Sequence, residues 1–222
     1  MFRDAALVAG KDLRIELRSQ VTTQQVAPFA VLMLILFAVA LDPDRGVLAR
    51  ASSGLFWVAV LFCGLLAIQR AFTIESVDGG RDALRLSGLD PAGIFLGKAG
   101  AIAVQLVALE VVLAVGVVLM YGTEVTGVPL LLTTCVAATA GLAASGTLYG
   151  VLAAGLRVRE TLLPILLLPV LAPVLIAATK SFEAALGGVA ADGWPWCGLL
   201  GIFAATYVAF GMLAFGPLME EL

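Results

Sequence analysis

Residues 98–120 read KAGAIAVQLVALEVVLAVGVVLM, and only Lys98 at the start and Glu110 in the middle are ionisable. About 20 consecutive apolar residues form a helix long enough to cross the hydrocarbon core of a bilayer. Because backbone groups in lipid must be hydrogen-bonded within the protein, such a run is expected to be helical. The chain has further apolar runs of comparable length, at about 24–41, 52–70, 128–154, 161–180 and 194–217. The sequence therefore predicts an all-α membrane protein with six transmembrane helices.

The composition agrees with this architecture. Apolar residues make up 61% of the 222 residues and charged residues 13%, against roughly 45–50% and 25% in soluble domains. No stretch between the apolar runs is long enough for a soluble domain, so residues 1–222 are predicted to form a single transmembrane domain. The chain has no histidine, the residue most often used as a general base or metal ligand. We therefore expect no catalytic residue, no metal site and no nucleic-acid partner.

The placement of lysine and arginine predicts the orientation, because loops rich in these residues stay in the cytoplasm. Ten of the 13 basic residues fall on one side of the predicted membrane. They are Arg3, Lys11, Arg14, Arg18, Arg70, Arg81, Arg85, Lys98, Arg157 and Arg159. The other side holds Arg45, Arg50 and Lys180. Both termini are therefore expected in the cytoplasm, which agrees with an even number of spans.

Residues 2–18 precede the first run and have an amphipathic pattern. On a helix, one stripe would hold Phe2, Ala6, Leu13 and Leu17, and another would hold Lys11, Arg14 and Arg18. Apolar and basic stripes on one helix are typical of a helix that lies in the headgroup plane of a membrane. The segment is therefore predicted to be an interfacial helix, with an ordinary cytoplasmic tail as the alternative.

The stretch between the second and third runs, residues 70–98, reads RAFTIESVDGGRDALRLSGLDPAGIFLGK. Gly79 and Gly80 are expected to end the helix that precedes them. Residues 82–87 can then form a short amphipathic helix, which Gly88 and Pro91 would end. We call residues 75–91 the coupling segment. Its short helix could dock in a groove of a partner protein, or it could simply be part of a solvated loop.

The order Glu75, Gly79, Leu84, Leu86 and Lys98 is similar to the pattern of type-2 ABC exporter permeases. More narrowly, the chain resembles the haem exporter protein B (CcmB) family. The resemblance includes KDLRIELRS at 11–19, GLFWVAVLFCGLLAIQRAF at 54–72 and TLLPILLLPVLAPVLIA at 161–177. Two residues depart from the family pattern, Arg81 in place of an apolar residue and Gly88 in place of a common proline. These departures affect the docking face of the short helix.

The resemblance implies a permease subunit that acts in haem export for c-type cytochrome biogenesis. Its membrane helices would be moved by ATP hydrolysis in a separate cytoplasmic ABC ATPase. The chain would bind no cofactor, because the ATPase would bind ATP and the complex would handle haem. Other implied partners are a haem-handling membrane protein, a small membrane subunit and a periplasmic haem chaperone, with a second copy of the chain as an open option. The implied location is the inner membrane of a bacterium.

Within this interpretation the coupling segment contacts the ATPase. Its polar docking groups would be Glu75, Asp78, Asp82 and Arg85, its packed face Leu84 and Leu86, and its bounds Gly79 and Pro91. The sequence has no nucleotide-binding loop of its own. A Walker A loop reads GxxxxGK[ST]. The nearest string here is Gly93-Ile-Phe-Leu-Gly97-Lys98-Ala99, which is one residue short and lacks the final Ser or Thr. Two other functions stay open, an ABC permease for a drug, lipid or polysaccharide, and a secondary transporter or membrane-embedded enzyme.

Three features within the runs are further candidates. Glu110 is expected to face the bundle interior, either in an interhelical hydrogen bond or along a transport pathway. Pro164, Pro169 and Pro173 interrupt the fifth run and predict either a hinge or a static kink. Gly146 and Gly150 allow close helix approach, which would serve either internal packing or a dimer.

Overall fold

The computed structural model describes residues 1–20, 22–41, 45–77, 88–122, 126–154 and 159–220. Within these ranges the chain is helical, as predicted, and a π-helical turn at Thr22–Val26 and a 3₁₀ turn at Ala190–Gly193 supplement the α-helices. The α-helices are α1 (Phe2–Ser19), α2 (Ala27–Ala40), α3 (Arg45–Val77), α4 (Pro91–Tyr121), α5 (Val128–Ala154), α6 (Arg159–Leu186) and α7 (Trp194–Glu220). The predicted all-α class is confirmed for this part of the chain.

Five stretches are long and apolar enough to cross a membrane: Arg50–Thr73, Pro91–Tyr121, Val128–Ala153, Thr161–Leu186 and Ala190–Met219. Helix α2 has only 14 residues, fewer than the roughly 20 that a bilayer requires. Together with α1, from which it is bent by 55°, it forms a sixth stretch of sufficient length and apolarity. The described residues thus contain five candidate spans, or six with the bent pair, and the chain is a multi-pass membrane protein.

Helix α4 begins earlier than the apolar run that predicted it. The Asp90 side chain accepts a hydrogen bond from the Ala92 N–H at 3.1 Å, and Pro91 occupies the first helical turn. A carboxylate at the N-cap followed by proline is a favourable start for a helix, because the cap satisfies a free N–H and proline has none to lose. Lys98, expected at the beginning of the span, therefore lies well inside the helix and is buried.

Helix α5 is central to the bundle and packs against α3, α4, α6 and α7. Ile68 and Phe72 of α3 fill the space beside Gly146 and Gly150, where any added Cβ atom would collide with them. Small residues of this kind let membrane helices approach closely and replace lipid contacts with dense packing. The glycine pair thus serves internal packing in this structure.

Helix α6 is continuous across its three prolines. In a membrane bundle, neighbouring groups and small backbone adjustments can compensate for the amide hydrogens that proline lacks. Pro173 is exposed, and it borders an open groove of about 230 Å³ that Phe203 and Tyr207 of α7 also line. The hinge role of Pro164, Pro169 and Pro173 remains a prediction.

Candidate functional site

Helix α1 has three distinct faces. Its acidic residues Asp4, Asp12 and Glu16 recur with Val8 at intervals of four residues, and Val8 is only 2% exposed. Positions four apart share one face of a helix, and this face is turned toward the bundle. The other two faces are largely exposed, with Phe2, Ala6 and Leu17 on the apolar stripe and Lys11, Arg14 and Arg18 on the cationic one. The predicted helix is present, but its acidic face was missed.

Two glycines of α4 form the groove in which α1 lies. A Cβ atom added at Gly93 would lie 2.8 Å from the Met1 carbonyl oxygen, and one added at Gly97 would lie 2.7 Å from the Ala5 carbonyl oxygen. Real Cβ atoms do not approach other heavy atoms so closely, because interiors are already packed to van der Waals contact. The Gly93–Gly97 string, which resembles a nucleotide-binding loop only in its letters, is therefore a helix-packing surface.

Lys98 connects α1 to the same end of α4. Its side chain is 3% exposed, and its Nζ atom lies 3.6 Å from Oδ2 of Asp12. The same ammonium group lies 5.3 Å from the centre of the Phe72 ring on α3. A buried ammonium group is stable only when opposite charge or suitable polar groups surround it. Lys98 therefore joins three elements, α1, α3 and α4, at one point.

A second ion pair attaches α1 to α3. The Arg70 Nε atom donates a hydrogen bond to Oε2 of Glu16 at 3.2 Å, and the two side chains are 28% and 11% exposed. Near the other end of α1, Oδ2 of Asp4 accepts a 3.4 Å hydrogen bond from the backbone N–H of Asp90. We call this set of contacts, formed by Asp4, Val8, Asp12, Glu16, Arg70, Gly93, Gly97 and Lys98, the α1 interface.

The α1 interface lies beside the coupling segment in the chain. Arg70 precedes the segment on α3, and Lys98 follows it on α4. One helix, α1, is thus attached to both helices that flank residues 75–91. A displacement of those two helices relative to each other would strain the contacts that α1 makes with at least one of them.

Most predicted docking residues cannot be placed. Asp78, Gly79, Asp82, Leu84, Arg85 and Leu86 lie outside the described residues, as does Arg81. Glu75 belongs to the last turn of α3, and Pro91 begins α4 instead of only ending the short helix. The structure thus fixes the two ends of the coupling segment.

The backbone at Gly88 has a conformation that proline cannot adopt. Gly88 has φ +67°, in the left-handed region that glycine adopts readily. Proline is confined to φ near −65° by its ring. A proline at this position would therefore require a different backbone turn into α4.

Glu110 forms a separate polar centre, between α4 and α5. It is 4% exposed, and the Thr139 hydroxyl of α5 donates a hydrogen bond to its Oε1 atom. The Cys135 thiol interacts with the same carboxyl, whereas Oε2 is buried and has no hydrogen-bond partner among the residues that the structure describes. The interhelical hydrogen bond, one of the two options that the sequence left open, is thus present. A role along a transport pathway stays a prediction.

Comparison with known proteins gives a consistent result. The model of the family described as CcmB protein matches residues 4–220. Heme exporter protein B of Pseudomonas aeruginosa is 28% identical over 214 residues, covering 94% of each chain. The protein of the same name from Haemophilus influenzae is 30% identical over 202 residues, which cover 89% of this chain and 87% of the relative. That of Escherichia coli K12 is 30% identical over 206 residues, which cover 82% of this chain and 83% of the relative. The chain therefore belongs to the CcmB family.

Proposed function

We propose that this chain is the permease subunit of an ABC complex that acts in haem export for c-type cytochrome biogenesis. Family membership and the name of its relatives support the haem assignment. In this proposal the chain has no catalytic activity, and a cytoplasmic ATPase subunit hydrolyses ATP. Haem is handled by a separate membrane protein and passed to a periplasmic chaperone, with a small membrane subunit completing the complex.

The proposed topology has six spans in the bacterial inner membrane, the first at about residues 24–41, and α1 precedes this span as a helix in the headgroup plane. Both termini and the coupling segment are then cytoplasmic. The excess of lysine and arginine before α2, between α3 and α4, and between α5 and α6 supports this orientation. It places α1 on the side of the membrane where an ATPase subunit would bind.

The proposed transmission of movement from the ATPase to the membrane helices rests on the attachment of α1 to both flanks of the coupling segment. When the ATPase moves this segment, α3 and α4 receive the displacement at Arg70 and Lys98. Because Glu16 and Asp12 of α1 pair with these two residues, the three helices would move together. The α3–α5 packing at Gly146 and Gly150 then provides a rigid route into the bundle, and Pro164, Pro169 and Pro173 are the hinge candidates.

The test is co-purification from the native host in mild detergent. We expect an ATPase and a haem-handling membrane protein to purify with the chain, and we expect the Asp82→Lys/Arg85→Glu variant to lose most of the ATPase. Reversing two docking charges places like charges opposite each other across the contact, which is costly. Thermal unfolding of the variant should match that of the wild type, since the bundle itself is unchanged.

Lys180→Glu/Glu183→Lys is the matched control. These residues form an exposed 2.8 Å ion pair on α6, on the proposed periplasmic side, and their reversal should leave ATPase binding intact. Full ATPase recovery with Asp82→Lys/Arg85→Glu would refute the docking site. Recovery of an ATPase without any haem-handling protein would refute the haem assignment and favour another exported substrate.

A further inference from the structure

The charges of α1 are sorted by face. All three acidic residues of the helix, Asp4, Asp12 and Glu16, belong to the α1 interface and point toward the bundle. The basic residues Arg14 and Arg18 are exposed on a different side. Among the described residues neither arginine forms an ion pair. The outer side of α1 therefore has positive charge that no carboxylate among the described residues neutralises.

A groove lies between these cationic side chains. It has a volume of about 390 Å³, and Leu7, Gly10, Ile15, Arg14 and Arg18 line it together with Lys11. Apart from the backbone of α1 itself, no described atom lies within 4 Å of the position that a Cβ atom at Gly10 would take, so the groove is open on this side of the helix. Its rim is cationic and its walls are partly apolar, which suits a ligand with an anionic head and an apolar body.

The adjacent stripe of α1 favours lipid as that ligand. Phe2 is 78% exposed and Leu17 is 77% exposed, and exposed large apolar side chains are stable where they enter the acyl layer. Helices of this kind place their apolar side chains below the headgroups and their arginines at headgroup level. The 55° bend between α1 and α2 turns α1 away from the direction of the spans, as such a position requires.

We propose that the outer side of α1 is a binding site for anionic phospholipid headgroups of the cytoplasmic leaflet, with Arg14 and Arg18 as the main contacts and Lys11 as a weaker one. Lys11 is weaker because it already pairs with Asp12 at 3.0 Å. The inner face of α1 attaches to α3 and α4, so headgroup binding fixes the level of these helices relative to the membrane surface. The choice of the cytoplasmic leaflet rests on the proposed topology, whereas headgroup binding itself does not depend on the proposed function.

The experiment uses the purified full chain in detergent with added phosphatidylglycerol or phosphatidylcholine of identical acyl chains. Binding is measured by native mass spectrometry, and the shift in thermal unfolding gives a second readout. The wild type should bind phosphatidylglycerol more tightly, and Arg14→Gln/Arg18→Gln should lose this preference. Each removed charge should weaken binding about five-fold and the two together about 25-fold at low salt. Added salt should reduce the preference in the wild type.

Two control variants separate charge from other effects. Arg14→Lys/Arg18→Lys keeps both charges and should keep the preference for phosphatidylglycerol. Arg50→Gln removes an exposed arginine near the start of α3, far from Arg70, and should also keep it. Equal binding of the two lipids by the wild type would overturn the proposal. An unchanged preference for phosphatidylglycerol in Arg14→Gln/Arg18→Gln would overturn it as well. If that variant also lost the ATPase on co-purification, this face of α1 would be assigned to protein docking instead.

Discussion

Lys98 and Glu110 are both buried ionisable residues of α4, at 2% and 4% exposure, yet they have different partners. Lys98 lies near a carboxylate of α1 and an aromatic ring of α3. Glu110 receives a hydrogen bond from a neutral hydroxyl of α5. Near the membrane surface a second helix can supply the opposite charge, whereas in the middle of a bundle the available partners are mostly polar and neutral. Helix α4 is thus attached to α1 electrostatically and to α5 by a neutral polar contact.

Removal of the α1 carboxylate is expected to have the largest effect on stability. Asp12→Ala takes away the carboxylate oxygen that lies 3.6 Å from the buried Lys98 ammonium group. Loss of one partner of a buried ion pair costs about 3–5 kcal/mol, and we expect a loss near the lower end, about 3 kcal/mol. The lower end applies because Asp12 is 16% exposed, so water can partly replace it. The measurement is the free energy of unfolding in detergent.

Lys98→Met is the matched variant for this comparison. It keeps a long side chain beside Phe72 and leaves Asp12 paired with Lys11 at 3.0 Å, so no buried charge remains without a partner. We expect it to cost about 1 kcal/mol, as for a swap of similar volume. If Lys98→Met destabilised the chain as much as Asp12→Ala, α1 would be held by side-chain packing and not by charge.

Changes at the Glu110 centre are expected to have smaller effects. Thr139→Val removes the hydroxyl donor and should cost about 0.6–1 kcal/mol, the range for interhelical hydrogen bonds in membranes. Glu110→Gln should cost less, because its amide oxygen can still accept the hydrogen bond from Thr139. Both are measured by unfolding under the conditions used for Asp12→Ala. A loss of about 3 kcal/mol in Glu110→Gln would contradict the neutral attachment and point to a required negative charge.

The sequence predicted the helices well because each apolar run is long and nearly free of charge. It placed the start of α4 too late, since the run begins near Lys98 whereas the helix begins at Pro91 under the Asp90 cap. A search for N-caps before each run would have found this boundary. The separate helix at 2–18 and the first run at 24–41 agree with α1 and with the helical stretch Gln24–Ala40, which is bent from α1 by 55°. Apolarity alone did not reveal that this stretch begins with a π-helical turn.

The candidate site was harder to predict because its partners are distant in the chain. Glu16 and Arg70 are 54 positions apart, and Glu110 and Thr139 are 29 apart. Apolar periodicity reports only which residues share a face, and it says nothing about which helix that face meets. Two signals were nevertheless present: the spacing of Asp4, Asp12 and Glu16 with Val8, and the Gly93–Gly97 pair. Together they indicate an acidic helix face and a groove that can receive it.

A disulfide test addresses the central claim, that α1 lies in the glycine groove of α4, most directly. In a background without Cys63, Cys135 and Cys197, the pair Val8→Cys/Gly97→Cys is oxidised in native membranes, and the remaining thiols are counted with a maleimide-polyethylene glycol tag. The Val8 Cβ atom lies 2.7 Å from the position of a Cβ at Gly97, and the Ala5 carbonyl oxygen lies at the same distance. A shift of α1 by about 1 Å relieves both contacts and gives the roughly 3.8 Å between Cβ atoms that a disulfide needs. The Gly97→Cys single variant is therefore expected to unfold at a lower temperature than the wild type while α1 stays in the groove, and its thermal unfolding is measured first.

Val8→Cys/Gly100→Cys is the matched control, because no described atom outside the backbone of α4 lies within 4 Å of a Cβ added at Gly100. The account predicts that Val8→Cys/Gly97→Cys is protected from the tag after oxidation and that the control pair stays labelled. Equal labelling of the two pairs would contradict the position of α1, and with it the attachment of α1 to both flanks of the coupling segment.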